Sequence, residues 1–318
     1  MRISTSSFFN ATLSGIQDQQ SQIARLSQKV AENKSYLAPK EAPISASRAL
    51  ELSNSLALRE QYAANQDKAE LALKYENTLL ERMYTALGDA SAGLDSIVPG
   101  QDQSLRDQMA IRVSSVYNLL KDVGNSRDSQ GNYIFAGHES ATKPYSHTAT
   151  YPSALPGTPP FASNPAAYAG DTGTRSMAVE NGRQVQTSDD LSPLFLGDGS
   201  DAQDLLQALD YAAAALNDDT ASEATLQSAL DTASAALDRA LDVLQGLQTR
   251  VAGRFIEIGD LRTTTTQLKT AEQNALADLS ELDTTAAIIE LQQRQTNLEA
   301  SQQTFALVSS LSLFSYLG

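Results

Sequence analysis

The residues best equipped for chemistry in this chain of 318 are two histidines, His138 and His147, and two acidic pairs, Asp189-Asp190 and Asp218-Asp219. A zinc site needs histidines at short helical or turn spacing, and two of them nine apart in a loop-like stretch do not meet that requirement. A Ser-His-Asp arrangement needs a buried, oriented base, and neither histidine sits in an apolar pattern. The acidic pairs fall at segment boundaries, where such pairs solvate turns or favour helix N-termini. A glycosidase would need them to converge in a cleft, which spacing does not indicate. Glycine-rich phosphate loops are missing. With no cysteine at all, thiolate chemistry, disulfides and Cys-based metal sites are also excluded. The expectation is a protein with no catalytic residue, no cofactor and no metal.

Composition points to a binding surface of another kind. Aromatic residues are 6% of the chain and tryptophan is absent, so the core must be aliphatic, which suits narrow helical bundles. Net charge is −15, and residues 201–283 alone hold 15 acidic against 5 basic side chains. That field repels nucleic acid. Residues 1–9 carry one charge and no apolar core of a secretory signal, so no cleaved leader is expected. No uninterrupted apolar run of about 18 residues is present, so no membrane insertion is expected.

The elements that must position any surface are long helices. Phe9, Leu13, Ile16, Ile23, Leu26 and Val30 recur at helical spacing near the start. Leu279, Leu282, Ala286, Ile289, Ala300 and Leu307 do so near the finish, with Leu298, Phe305, Leu311, Leu313 and Phe314 alongside. Such thin stripes, interrupted by Gln20, Gln293, Thr296 and Gln303, suggest helices that find part of their partner surface on another chain. With Ile3, these residues form the candidate assembly interface.

The first helix is predicted over about 4–33, stopping before the Pro39–Pro43 corner. A long helix follows, with a seam through Leu73, Asn77, Leu80, Tyr84, Leu87, Ser91, Leu94 and Val98, in which Asn77 would fix register. Pro99-Gly100 ends it, and a returning helix carries Met109, Val113, Val116, Leu120 and Val123 to Gly124. A turn and short strand are expected over 131–137, then a small β-rich domain over 138–195, where seven of the ten prolines lie between Pro144 and Pro193. Helix resumes near 204 and runs through Leu226, Leu230, Ala233, Leu237, Ala240, Leu244, Leu247 and Val251. The Thr263–Thr266 run is predicted to be a weak joint. The fold class is therefore mainly α, with long antiparallel helical rods, coiled-coil termini and a small β-rich insert. The domains are expected at 1–43 with 268–318, at 44–137 with 196–267, and at 138–195. Because the rods flank the insert, the chain should run out and return, bringing its ends side by side.

Several segments resemble the flagellin-like hook-associated proteins of the bacterial flagellum, which form the hook-filament junction. These are Met1-Arg2-Ile3-Ser4-Thr5, the stretch Ala42-Pro43-Ile44 to Arg48-Ala49-Leu50, Gly131-Asn132-Tyr133-Ile134-Phe135-Ala136-Gly137, and Leu279-Ser280-Glu281-Leu282-Asp283 through Ser312-Leu313-Phe314. They span both termini and the middle in the family's order. Lys40-Glu41-Ala42 departs from the paired aspartates often seen there, and the insert from Pro144 to Pro193 has no counterpart. The resemblance implies a structural adaptor joining hook to filament, extracellular and exported without a cleaved signal by the flagellar type III route. It implies as partners further copies of the chain in a ring or helical assembly, a neighbouring hook-associated protein, filament-side flagellin, and an export chaperone on the C-terminal region. The rival readings are a flagellin-type filament subunit and a secreted helical adhesin or effector. Burial of about four large apolar side chains per terminal helix supplies roughly 6–12 kcal/mol before entropy costs. The terminal helices are therefore expected to order and pair only on assembly.

Overall fold

Proline, asparagine and serine set the helix ends. The computed structural model describes residues 5–98, 100–145, 168–196 and 205–317, with the side chains of 5–6, 8–9, 196 and 308–317 outside that description. Helix α1 spans Thr5–Glu32 and closes in a Schellman arrangement: Asn33 takes a left-handed φ of 52°, Lys34 N–H donates to the Lys29 carbonyl at 3.0 Å, and Asn33 N–H to Val30 at 3.3 Å. Pro43 opens α2, Pro43–Asp95, at the position where its missing N–H costs nothing. Helix α3 spans Gln103–Gly124 and α5 spans Leu205–Asn217. Ser222 caps α6, Glu223–Ser280, accepting the Thr225 N–H at 3.1 Å. Asp283 does the same for α7, Thr284–Leu317, through Ala286 N–H at 3.0 Å.

The chain divides into two compact units, one of residues 1–59 with 266–318 and the other of residues 60–265. In the first, α1 packs against α7. In the second, a continuous aliphatic core joins the inner faces of α2, α3, α5 and α6. Its α6 seam, Leu226 through Val251, is the predicted one, every member buried. The α2 seam is not. It runs through Gln66, Ala69, Leu73, Glu76, Leu80, Met83, Leu87, Ala90 and Leu94, while Asn77 is half-buried and Tyr84 and Val98 are exposed. Gln66 and Glu76, not Asn77, are thus the polar members of the seam.

The Thr263–Thr266 run lies inside unbroken α6, where the boundary between the two units falls, and the helix itself breaks at 281–283. Two further expectations change. Residues 131–137 form consecutive turns, with Tyr133 in an isolated bridge to Arg127, and bury Ile134, Phe135 and Ala136. The described part of 138–195 holds one hairpin, β1 (Ser176–Glu180) and β2 (Arg183–Gln186), and the short α4 (Ser192–Leu196). Asn181-Gly182, with Gly182 at φ 75°, makes the two-residue turn. The hairpin packs Val179 and Val185 into the helical core, so this stretch is bound to the helices rather than built around a sheet of its own.

Candidate assembly surface

The inner face of α1 is set by a strict heptad of partly or fully covered positions: Thr12, Ile16, Gln19, Ile23, Leu26 and Val30. On α7 the matching positions are Ala287, Leu291, Arg294, Leu298, Ser301 and Phe305. Only Ile16 and Ala287 are buried among the described residues of these helices. Arg294 reaches across to Gln22 and also holds Glu290 at 2.7 Å. A third of these seam positions are polar, and apart from Ile16 and Ala287 the apolar members are only half-buried.

One end of the pair is fastened by backbone. Lys34 and Glu281 form an antiparallel bridge, and the Ser35 N–H donates to the Ser280 carbonyl at 2.9 Å. Lys29 Nζ donates to the Ser35 carbonyl at 2.9 Å and pairs with Glu41 at 3.1 Å, and that pairing holds the Glu41 carboxyl below its usual range. Within the same unit, Glu272 accepts from Arg59 at 2.8 Å and from Ser55 at 3.0 Å. The Arg59 bond lowers its carboxyl in turn.

The predicted interface residues divide by face. Ile16, Ile23, Leu26, Val30, Leu298 and Phe305 lie on the α1–α7 seam, so their first partner is the chain's own other end. The structure pairs these two helices within a single chain. Leu279 and Leu282 are half-buried at the turn between α6 and α7. Leu13, Ile289 and Leu307 point outward, 41%, 52% and 65% exposed. Ile3 lies outside the described residues, as do the side chains of Phe9, Leu311, Leu313 and Phe314. The predicted stripe through Ala286 and Ile289 is one register off the observed seam, because Asp283 starts a new helix and breaks phase with Leu279 and Leu282.

Sequence reasoning missed other outward apolar residues of this unit: Ile44, Leu50 and Leu58 on α2, Leu268 on α6 and Ile288 on α7. None of them falls on the stripes picked out in the sequence. In the other unit, a groove of about 650 Å³ lies against Ile97, Leu105, Met109, Ile111 and Arg112. Arg112 is its one charged side chain, so it offers no acid–base pair. No group of three or more potential metal ligands occurs among the described residues, and none of their helices is long and apolar enough to cross a membrane.

The fold, with paired terminal helices in one unit and a helical core with a hairpin in the other, is similar to that of solved flagellar junction proteins. The flagellar junction protein FlgL of Legionella pneumophila superposes with a TM-score of 0.55 at 14% identity, over 73% of this chain and 99% of that one. FlgL of Xanthomonas campestris gives 0.59 at 13%, over 71% and 99%. In sequence, the chain is similar to flagellar hook-associated protein 3 of Escherichia coli K12, 26% identical over 99% of both chains. The protein of the same name from Salmonella typhimurium LT2 is 25% identical over the same shares. No family model matches the chain.

Proposed function

We propose that this chain is a structural subunit of the bacterial flagellum, a hook-associated protein that joins the hook to the filament and performs no catalysis. The observation that carries the reading is the similarity to flagellar hook-associated protein 3 along the whole chain, both terminal helices included. The thin α1–α7 seam with outward Leu13, Ile288 and Ile289 supports assembly through the terminal helices, against further copies, a hook-side neighbour and filament-side flagellin. Export precedes folding, and a chaperone covers the apolar C-terminal region until then.

Electron microscopy of appendages from cells lacking this chain tests the role. Bare hooks, with filament subunits shed into the medium, are the expected result, and deletion of residues 305–318 should reproduce it. Normal filaments in the deletion strain would overturn the reading. Thousands of copies along each filament would make the chain a filament subunit instead.

A further inference from the structure

Glu76 sits on the inner seam of α2 with no exposed surface. Its Oε1 accepts the Asp189 N–H at 2.7 Å, while Oε2 is buried with no hydrogen-bond partner. Asp189 lies on the segment between β2 and α4 and is itself buried. Arg254 of α6 grips it with two hydrogen bonds of 2.6 and 2.8 Å, and the same guanidinium donates to Gln186 Oε1 at 2.7 Å. This one cluster ties the segment after β2 to both long helices.

We propose that this cluster is a proton-controlled latch: the Asp189 segment closes on α2 and α6 while the Glu76 carboxyl carries a proton, and loosens when Glu76 ionises. The charges around Glu76 support it. Asp189 faces it from the segment, Arg254 from α6, and Arg175 from the residue before β1. Arg175 is already paired with Asp128 at 3.4 Å, and Arg250 stands off Asp189 at 3.8 Å. Glu257, which also acts on Arg254, is paired with Arg183 at 2.8 Å. With Glu76 neutral, Asp189 and Arg254 cancel. With Glu76 ionised, two buried carboxylates share one guanidinium, and Oε2 bears charge without a donor. Burial, then the Asp189 charge, pushes Glu76 up to about 7, so the change falls near neutrality. Asn65 and Gln66 hold β1 to α2 through the Ala178 and Val179 carbonyls, at 2.8 and 2.9 Å. Opening therefore begins at Asp189 and spreads first into β2.

Amide exchange over residues 183–191 of the full chain, corrected for intrinsic rates, tests this. Protection should fall about tenfold or more between roughly pH 6 and pH 8, and Glu76→Gln should hold it constant. Equal protection at both pH values in the wild type, or the same fall in the variant, overturns the latch. Carboxyl NMR of glutamate-labelled wild-type protein decides independently of whether the variant folds. Glu76 should titrate near neutrality, and titration with the ordinary carboxylates would sink the proposal.

Discussion

Ser35 and Ser280, from opposite ends of the chain, are joined by a 2.9 Å hydrogen bond between backbone N–H and carbonyl. Beside them, Lys34 bridges Glu281, and both contacts depend on the turn that Asn33 makes in the left-handed region. A β-branched residue at that turn is strained, whereas glycine is not. Asn33→Val should destabilise the unit built from the two ends by about 1–2 kcal/mol, and Asn33→Gly should leave it nearly unchanged. Thermal unfolding followed by circular dichroism gives the comparison.

The second unit has a close approach of its own at Gly124. A Cβ there would meet the Tyr145 ring at 2.7 Å and Phe195 at 3.3 Å, and those rings pack tilted at 46° with centroids 4.1 Å apart. Rigid rings cannot yield as a flexible side chain would. Gly124→Ala should therefore cost about 1–3 kcal/mol. Gly88, inside α2 with open space around its missing Cβ, is the control: Gly88→Ala should stabilise by roughly 0.5–1 kcal/mol. Denaturant melts of the two variants should move in opposite directions.

Glu76 imposes a pH dependence with a definite sign. Its carboxyl rises from an unfolded value of 4.5 to about 7 on folding, so the native state holds the extra proton between those limits. Stability from this group is intact below about 4.5, declines as pH climbs to about 7, and then stays lost, a difference of roughly 3 kcal/mol. Glu76→Gln should flatten that decline and melt higher than wild type above neutrality. An unchanged difference between the two proteins from pH 5 to pH 8 would contradict the assignment.

The same residue shows why part of the fold was legible in sequence and part was not. Leu73, Leu80, Leu87 and Leu94 fit two heptad phases equally well. Steps of four and three from Leu73 lead to Asn77, and an acid is among the least expected core residues, so nothing in the sequence points to Glu76. The structure chose the phase with Met83 and Ala90, and supplied the donor to Glu76 Oε1 from a segment more than a hundred residues further on, which no local pattern reveals. The α6 seam suffered no such ambiguity, being an unbroken run of Leu and Ala at steps of four and three closed by Val251. At the surface, the terminal stripes correctly marked α1 and α7. Their faces were separable only once Asp283 was seen to restart the helix, leaving Leu298 and Phe305 inward and Ile289 outward. The Asn181-Gly182 pair is a hairpin-turn signal that was not used, and the hairpin's docking on Asn65 and Gln66 is a tertiary fact.

That separation of faces makes the assembly reading testable residue by residue. The α1–α7 seam buries little beyond Ile16 and Ala287, so packing contributes little to set against the entropy of ordering both helices. Amide protection along α1 and α7 in the dilute chain should accordingly be low, and rise on incorporation into the appendage. Ile16→Ala removes one of the two buried anchors and should lower protection in the free chain by several-fold or more, corresponding to about 1–3 kcal/mol. Ile288→Lys and Ile289→Lys alter outward positions, so their effect on the free chain should stay within about 0.5 kcal/mol. In cells the ranking reverses. If neighbouring subunits cover the outward face, a lysine placed there must be desolvated without a partner, and incorporation and motility should fall steeply. Full motility with both outward lysines present would show that assembly uses a different face of the molecule.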